Sequence, residues 1–555
     1  MLNIIKTSII KALGEMIDEG FFESLTEAPE PVISQPRTKG FGDLSTNVAM
    51  KLGRSQRKNP GEIALVLAKK IGSTDVIERC EVAAPGFVNI FIKKSCWAGL
   101  LKDILDKGHE YGRLNLGEGK KVQVEFVSAN PTGPLHIGHG RGAAVGDAIS
   151  SILGYAGYDV TREFYINDMG RQIEVLGRSV MLRAREQLGE TIEMPEDSYH
   201  GNYIKDVAAK FIESEGKDFM DMEEGKAVEV FKDYASNALL SGIREDLKDF
   251  NVEFDVWYSE KSLYEKDLVK KAMDELKKRG FIYEEDGAIW FRSTDFGDDK
   301  DRVLIKADGA RTYFASDIAY HGDKLDRGFT TIINVWGADH HGYEARVRAF
   351  IEAMGREKDA LKVVFIQLVA LLREGEPVAM GKRSGEFVTL RQVMDEVGSD
   401  AARFFFLTRK SDAHLDFDLE LAKKQTSENP VFYVQYCYAR IQSIFEYAEE
   451  KGFTAPAEFT AKDLECLGLE EEIEIIKLLA NFESVIEKSS KGLEPHRVTF
   501  YLMELAGLFH PYYNRNRVVT EDRSLTEARL LLLKAVGSVT GIGLRLLGIS
   551  APEKM

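Results

Sequence analysis

The stretch Asn130-Pro-Thr-Gly-Pro-Leu-His-Ile-Gly-His-Gly140 decides the fold of this 555-residue chain. It follows the apolar run Val122-Gln-Val-Glu-Phe-Val127, which predicts a buried parallel strand. It also opens a run of small and apolar residues that predicts a helix. A helix N-terminus presents N–H groups and a positive dipole end to anions. His136 and His139 lie three residues apart, so both rings would face one phosphate. Strand, loop and helix in this order predict a nucleotide site in a doubly wound α/β domain.

Two further points bear on this interpretation. A histidine at the start of a helix is more often a cap or a surface residue than a catalytic group. The chain contains no Gly-x-x-x-x-Gly-Lys-Ser/Thr sequence, so the site is not a P-loop. Gly138 instead leaves space for a flat base to pack against the backbone between the histidines.

His136-Ile-Gly-His139 resembles the first signature of the class I aminoacyl-tRNA synthetases, a strand–helix turn that binds ATP. That family carries a second signature downstream, a lysine loop that clamps the pyrophosphate end of ATP. Val378-Ala-Met-Gly-Lys-Arg-Ser-Gly385 resembles this loop, with Ala379, Gly381 and Arg383 in place of a lysine and two serines. The resemblance implies catalytic roles for His136, His139 and Lys382. It implies ATP contacts for Gly138, Met380 and Arg383, the last restoring the missing charge.

Further stretches resemble the bacterial-type arginyl-tRNA synthetases, in order along essentially the whole chain. These stretches are residues 42–50, 84–91, 303–320, 335–343 and 429–440. The resemblance implies ATP-dependent attachment of L-arginine to tRNA(Arg) through an arginyl-adenylate. It also implies attack by the 2′-hydroxyl of the tRNA, a need for tRNA during activation, and a cytoplasmic monomer.

Arginine as a substrate requires carboxylates that face a planar guanidinium. Glu125 interrupts an apolar strand, and an acid there needs a partner. Asp317 follows Tyr313 by four residues, so both would share one helix face. The resemblance implies that Glu125, Tyr313 and Asp317 bind the guanidinium and that Asn130 binds near the α-amino group. Ser128 and Gln367 are weaker neighbours, and buried structural ion pairs remain the alternative for both acids.

Gly337, Asp339 and His340 follow a predicted strand end, which is a suitable place to hold the ribose of ATP. A helix N-cap pair is the alternative interpretation of Asp339 and His340. ATP is expected to arrive with Mg²⁺, which would share the phosphate charge.

The composition is that of an ordinary globular protein, with 44% hydrophobic and 29% charged residues. No apolar run reaches the roughly 18 residues that cross a bilayer, so no membrane association is expected. The four cysteines lie far apart and predict reduced thiols and no tightly bound structural metal.

The net charge of −17 argues against nucleic acid, but binding depends on local patches. A basic stretch lies between residues 36 and 59, and His510-Pro-Tyr-Tyr-Asn-Arg-Asn-Arg517 mixes aromatic rings with guanidinium groups. A solvated basic stretch and a buried helix end with surface arginines are the alternatives. With the resemblance, the residues predicted to contact tRNA are Arg37, Lys39, Asn47, Arg54, Tyr433, Tyr436, Arg440, Tyr512, Arg515 and Arg517.

Four domains are expected. Residues 1–115 form an α+β tRNA-binding domain. Residues 116–375 form a Rossmann-like catalytic domain whose sheet is interrupted by an acidic helical insertion at about 170–300, with strand-like sequence returning near Gly287–Phe291. Residues 376–428 hold the lysine loop and a connecting segment, and 429–555 form an all-α anticodon-binding bundle. The predicted strands of the catalytic sheet are Val122–Val127, Val160–Phe164, Thr331–Trp336 and Val363–Val369.

Two competing functions remain open at this point. The first is another class I synthetase or a small-molecule adenylating ligase, although a pantothenate-type ligase would lack so long a helical C-terminal domain. Glutamyl and glutaminyl enzymes would want basic residues at Glu125 and Asp317. The second is a tRNA-binding paralogue without activity, which Ala379 and Gly381 favour and the retained histidines and Lys382 oppose.

Overall fold

The computed structural model describes residues 2–22, 31–34, 36, 40–72, 74–378 and 388–555. The helices are Leu2–Asp18 (α1), Val48–Gln56 (α2), Pro60–Ile71 (α3), Lys94–Lys107 (α4), Ile137–Tyr155 (α5), Arg171–Gln187 (α6), Asn202–Glu215 (α7), Glu224–Asp249 (α8), Lys261–Glu265 (α9), Leu268–Lys278 (α10), Tyr313–Asp326 (α11), Glu344–Ala353 (α12), Leu390–Val397 (α13), Ser399–Phe406 (α14), Leu419–Lys423 (α15), Pro430–Glu450 (α16), Glu470–Ala480 (α17), Phe482–Gly492 (α18), His496–Arg515 (α19) and Arg523–Leu546 (α20). The strands are Ile33–Ser34 (β1), Leu44–Thr46 (β2), Ile77–Ala83 (β3), Phe87–Ile92 (β4), Lys121–Glu125 (β5), Asp159–Ile166 (β6), Val256–Ser259 (β7), Ile282–Glu285 (β8), Ala288–Phe291 (β9), Arg302–Ile305 (β10), Thr331–Gly337 (β11), Leu361–Ile366 (β12), Val369–Arg373 (β13), Glu376–Pro377 (β14) and Leu415–Asp418 (β15).

The chain divides into two compact units, each assembled from separate segments. The first comprises Met1–Tyr111, Ile441–Asn481 and Leu508–Val539. It contains an antiparallel sheet of order β1-β2-β4-β3 together with α1 to α4. Apolar residues of α1 recur at helical spacing and are fully buried, as Ile5, Ile9 and Leu13 show. The N-terminal region therefore has the predicted α+β character.

The second unit comprises Gly112–Arg440, Phe482–Gly507 and Thr540–Met555. Its centre is a five-stranded parallel sheet of order β12-β11-β5-β6-β7. The first strand of this sheet along the chain, β5, is also its central strand, and the strand order reverses there. This doubly wound arrangement confirms the predicted fold class, and ligands bind at such a switch point outside the carboxyl ends of the strands.

Two details of the catalytic sheet differ from the prediction. The predicted strand Val363–Val369 is two strands in two sheets. At the break, both backbone groups of Gln367 bond outside the parallel sheet, its carbonyl accepting from the buried guanidinium of Arg141 at 2.8 Å and its N–H donating to the carbonyl of Ser411 at 2.9 Å. After the helical insertion the chain rejoins the parallel sheet earlier than Gly287, because β7 pairs in parallel with β6. The residues near Gly287 belong instead to a separate antiparallel sheet of order β10-β9-β8.

From Pro430 onward the chain forms helices and connecting segments only, as expected of an all-α C-terminal region. Within the described ranges, no helix combines the length and the apolar character that a membrane span requires.

Candidate active site

The nucleotide side of the site begins where β5 ends. Val127 and Ser128 follow it with φ of 68° and 40°, the left-handed region that non-glycine residues rarely occupy. The Ser128 hydroxyl holds this turn, donating to Glu125 Oε1 at 3.0 Å and accepting the Tyr165 N–H at 3.2 Å. Backbone strain of this kind persists only where the surroundings enforce it, and it clusters at functional sites.

His136 and His139 lie at the start of α5, as predicted, but only His139 is within the first turn of the helix. His136 is the N-cap, and its Nδ1 accepts the N–H groups of Gly138 at 3.1 Å and His139 at 3.3 Å. His139 returns a bond, its Nδ1 accepting the N–H of His136 at 3.3 Å. The two rings stack with centroids 3.6 Å apart.

This double cap fixes the protonation of both imidazoles. A ring whose Nδ1 accepts a hydrogen bond carries its proton on Nε2 when neutral. Burial lowers the pKa of His136, and burial together with the charge of His136 lowers the pKa of His139 to about 3. Both rings are therefore neutral at pH 7, with an N–H at Nε2.

The residues after the predicted lysine loop lie against this helix start. Thr389 forms an antiparallel bridge with His136, and the N–H of Leu390 donates to the carbonyl of Leu135 at 2.7 Å. The loop residues themselves, Ala379, Met380, Gly381, Lys382 and Arg383, lie outside the described residues.

The predicted ribose site lies at the end of β11, the strand next to β5. Gly337 is the last residue of that strand, and Asp339 and His340 are exposed in the short 3-10 helix Ala338–Tyr343. Their side chains lie 3.6 Å apart at His340 Nε2 and Asp339 Oδ2.

Asp317 on α11 and Glu125 at the end of β5 are close enough for their charges to interact. Burial raises the pKa of the Asp317 carboxyl to about 7, the hydrogen bond from Tyr343 opposes that rise, and the charges of Glu260 and Glu125 add to it. The Tyr343 hydroxyl donates to Asp317 Oδ2 at 2.5 Å. Tyr313 stands one turn earlier on α11 and is 73% exposed.

Glu260 and Lys324 were not predicted from the sequence as residues of the site. Glu260 is buried just beyond the end of β7, and burial raises the pKa of its carboxyl. An acid directly after a strand of the parallel sheet was a usable signal, but β7 itself was not predicted. Lys324 Nζ lies 2.6 Å from Glu125 Oε2, a contact between residues 199 positions apart that no spacing rule finds.

The helical insertion supplies two contacts to the Asn130 loop. The amide of Asn130 donates to Gln172 Oε1 on α6 at 2.6 Å. The hydroxyl of Tyr203 on α7 donates to the carbonyl of Thr132 at 2.8 Å. Gly133 gives this contact room, since a Cβ there would lie 3.2 Å from the Tyr203 hydroxyl.

The residues predicted to contact tRNA differ in how exposed their side chains are and in the groups that they contact. Asn47 caps α2 with its Oδ1 buried and without a partner, and Arg54 is exposed on that helix. The Arg440 guanidinium on α16 stacks 4.4 Å from the ring of Tyr436 and donates to its hydroxyl, and Tyr433 is half-buried on the same helix. Arg37 and Lys39 lie outside the described residues.

The C-terminal arginines are exposed, but Tyr512 is not. Arg515 and Arg517 reach solvent, Arg515 being paired with Glu471 at 2.8 Å. The side chain of Tyr512 is fully buried and its hydroxyl donates to Glu472 Oε1 at 3.2 Å. The prediction that this ring stacks on a base does not fit its position, because its whole face packs inside the protein.

Among the described residues, no group of three or more His, Cys, Asp and Glu side chains is arranged to hold a metal ion.

Three protein-family models match this chain in order. Residues 3–92 match the arginyl-tRNA synthetase N-terminal domain, residues 100–428 match the class I (R) tRNA synthetase catalytic domain, and residues 434–555 match the DALR anticodon-binding domain.

The chain is also similar to named proteins over its full length. It is 51% identical to an arginine–tRNA ligase of Syntrophotalea carbinolica, over 99% of this chain and 100% of that one. It is 50% identical to an arginine–tRNA ligase of Citrifermentans bemidjiense, over 99% of both chains. Its fold matches Thermus thermophilus arginyl-tRNA synthetase with a TM-score of 0.77 at 23% identity, over 100% of both chains.

Proposed function

Because this chain belongs to the arginyl-tRNA synthetases, we propose that the pocket at Glu125 and Asp317 binds arginine beside an ATP held by His136 and His139. The enzyme is an arginine–tRNA ligase, with ATP, arginine and tRNA as its substrates. Relatives about 50% identical over the whole chain are arginine–tRNA ligases, which favours this activity over another class I enzyme or an inactive paralogue. The observation that carries the site assignment is that Glu125, at the carboxyl end of the central strand, is near enough to Asp317 of α11 for its charge to raise the pKa of the Asp317 carboxyl.

Activation of arginine joins its carboxylate to the α-phosphorus of ATP and releases pyrophosphate. The rate of such a step depends on positioning and on stabilising charge at the phosphate oxygens. The two Nε2–H groups at the start of α5 suit these oxygens as donors, and the positive dipole end of the helix adds to the attraction. ATP enters as its Mg²⁺ complex, which supplies further positive charge when bound.

Lys382, Arg383 and Met380 are proposed to contact the pyrophosphate end of ATP. The support is that Thr389 and Leu390, which follow them by a few residues, pair with the backbone at His136 and Leu135. Gly138, Gly337, Asp339 and His340 are proposed to surround the adenosine, because the ends of β5 and β11 are adjacent in the sheet.

The guanidinium of arginine is proposed to lie between Glu125 and Asp317, with the exposed ring of Tyr313 at its side. Ser128 holds Glu125, and Asn130 faces the α-amino group. Gln172 supports this role of Asn130, since it engages the amide N–H and leaves the amide oxygen to accept from an ammonium.

The tRNA is proposed to contact Asn47, Arg54, Tyr433, Tyr436, Arg440, Arg515 and Arg517, with Arg37 and Lys39 in the same basic stretch. The support is the exposure of Arg54, Arg515 and Arg517, and the N-terminal and anticodon-binding family models, which cover all of these residues except Tyr433. We also propose the four domains 1–115, 116–375, 376–428 and 429–555, a monomer, and a cytoplasmic location.

The test is arginine-dependent exchange of pyrophosphate into ATP, with and without tRNA(Arg), with lysine and glutamine as control substrates. Exchange is expected with arginine alone among these, and only when tRNA is present. Glu125→Gln and Asp317→Asn should each raise the KM for arginine roughly tenfold to a hundredfold, the effect of losing a charged hydrogen bond.

Glu163→Gln is the matched control, because Glu163 is the register partner of Glu125 on β6 but bonds to Arg327. An arginine KM that stays native in both Glu125→Gln and Asp317→Asn would refute the arginine pocket. It would leave the established activity intact.

A further inference from the structure

One row of the parallel sheet carries polar residues on three neighbouring strands. Asn334 on β11 pairs in register with Glu125 on β5, and Glu125 pairs in register with Glu163 on β6. Side chains at the same register point to the same face of a sheet. All three are buried, so each needs a partner on the element that covers this face.

Helix α11 supplies those partners. Tyr320 and Arg327 bond to Glu163, with the Tyr320 hydroxyl 2.6 Å from Glu163 Oε1. Burial alone would raise the pKa of the Glu163 carboxyl, but the bonds and charges of Arg327 and Lys324 outweigh burial and lower it. Glu163 is therefore a structural carboxylate with its own cation.

Lys324 donates hydrogen bonds to Glu125 and Asn334. Its side chain is fully buried, and its Nζ lies 2.6 Å from Glu125 Oε2 and 3.1 Å from Asn334 Oδ1. The ammonium also stands 4.1 Å from the centroid of the Tyr320 ring. A buried ammonium is tolerated only when it is paired in this way, so Lys324 and Glu125 form a charged pair.

Because the Lys324 ammonium can only donate, it fixes which groups donate and which accept along a longer chain of hydrogen bonds. Because Lys324 donates to Asn334 Oδ1, the amide nitrogen of Asn334 faces His321 Nε2 at 2.9 Å and donates to it. His321 then carries its proton on Nδ1 and donates to the backbone carbonyl of Asp317 at 2.8 Å. The chain thus runs from Glu125 to the helical turn that bears Asp317.

We propose that Lys324 is a positioning residue for arginine, which fixes the two carboxylates of the proposed pocket relative to one another. It binds Glu125 through Oε2, while Ser128 binds Oε1, so the carboxylate plane is held for a planar guanidinium. It also cancels the charge of Glu125, so the pocket does not gather excess negative charge around a monocation. This inference rests on the proposed arginine site.

The test compares Lys324→Met and Lys324→Gln with Lys324→Arg, and all three with Arg327→Met. Arg327→Met is the matched control, because it removes the cation of Glu163 in the same row without touching Glu125. The measurements are KM for arginine, KM for ATP and kcat in tRNA arginylation, together with the thermal midpoint.

Lys324→Met and Lys324→Gln should raise the KM for arginine roughly tenfold or more, while the KM for ATP stays within about twofold. Lys324→Arg keeps the charge and should restore part of the loss. Arg327→Met should lower the thermal midpoint and leave the KM for arginine unchanged.

The inference is overturned if Lys324→Gln lowers the thermal midpoint as Arg327→Met does and leaves the KM for arginine native. Glu125→Gln separates this failure from a failure of the arginine site. A raised arginine KM in Glu125→Gln with a native value in Lys324→Gln removes the role of Lys324 only, and a native value in both removes the site.

Discussion

Asp317 is expected to set the pH dependence of arginine binding. Burial raises the pKa of its carboxyl to about 7, so in the free enzyme it is charged only above that pH. A guanidinium binds the carboxylate more tightly than the neutral acid. The KM for arginine should therefore fall as the pH rises through about 7, by at most roughly tenfold per pH unit, and level off above it.

The measurement is KM for arginine between about pH 6 and pH 8.5, a range that lies on either side of about 7 and wholly above the ordinary pKa of a carboxyl in water. Asp317→Asn should give a high KM without this dependence. Asp323→Asn is a suitable control, because Asp323 lies on the same helix but pairs with Arg327. A flat profile in the native enzyme would contradict the prediction.

At the scale of residues, the sequence predicted what neighbours along the chain determine. The contact of His136 with His139 follows from a separation of three on a helix, and Glu125 attracted notice because an acid inside an apolar strand needs a partner. That partner is Lys324. The pairing depends on the register of β5 and β11 and on the packing of α11, and sequence spacing encodes neither of these.

At the scale of elements, the start of α5 combines a cap with the two histidines proposed to bind ATP. Asparagine caps a helix well, so His136→Asn should change the free energy of unfolding by less than about 0.5 kcal/mol. It removes the stacked imidazole and its Nε2–H, so pyrophosphate exchange should fall roughly a hundredfold or more.

His136→Ala is the matched comparison, and it should lose about 1 kcal/mol of stability as well as activity. Denaturant unfolding and pyrophosphate exchange on the same samples separate the two effects. Full exchange in His136→Asn would mean that this histidine is a cap and nothing more.

Hydrophobic patterns predicted the catalytic strands where nothing interrupts them, as at Asp159–Ile166 and Thr331–Gly337. The prediction was wrong at Val363–Val369, since an apolar run gives no sign of a break. At the break, the backbone bonds to groups that lie far away in sequence, with Arg141 donating to the carbonyls of Gln367 and Ala413.

At the scale of the whole molecule, Arg403 ties together distant parts of the second unit. Its side chain is fully buried and donates to the carbonyls of Phe250, Asn251 and Leu547 and to Asp147 on α5. Arg403→Met should cost roughly 3–5 kcal/mol, because it leaves these acceptors buried without their donor. Arg409→Met, at an exposed arginine, is the control, and denaturant unfolding is the measurement. A loss no greater than that of Arg409→Met would contradict the prediction.

Residues 540–555 belong to this unit, and within them the backbone at position 548 calls for glycine. A Cβ at Gly548 would lie 2.1 Å from Arg403 Nη2, and its backbone has φ of 68°. During synthesis the ribosome makes Leu547 long after Phe250 and Arg403, whereas most domains fold as units while the chain emerges. The buried Arg403 guanidinium therefore lacks one of its acceptors until Leu547 has been added, so the second unit cannot complete this set of bonds while the chain is only part-made.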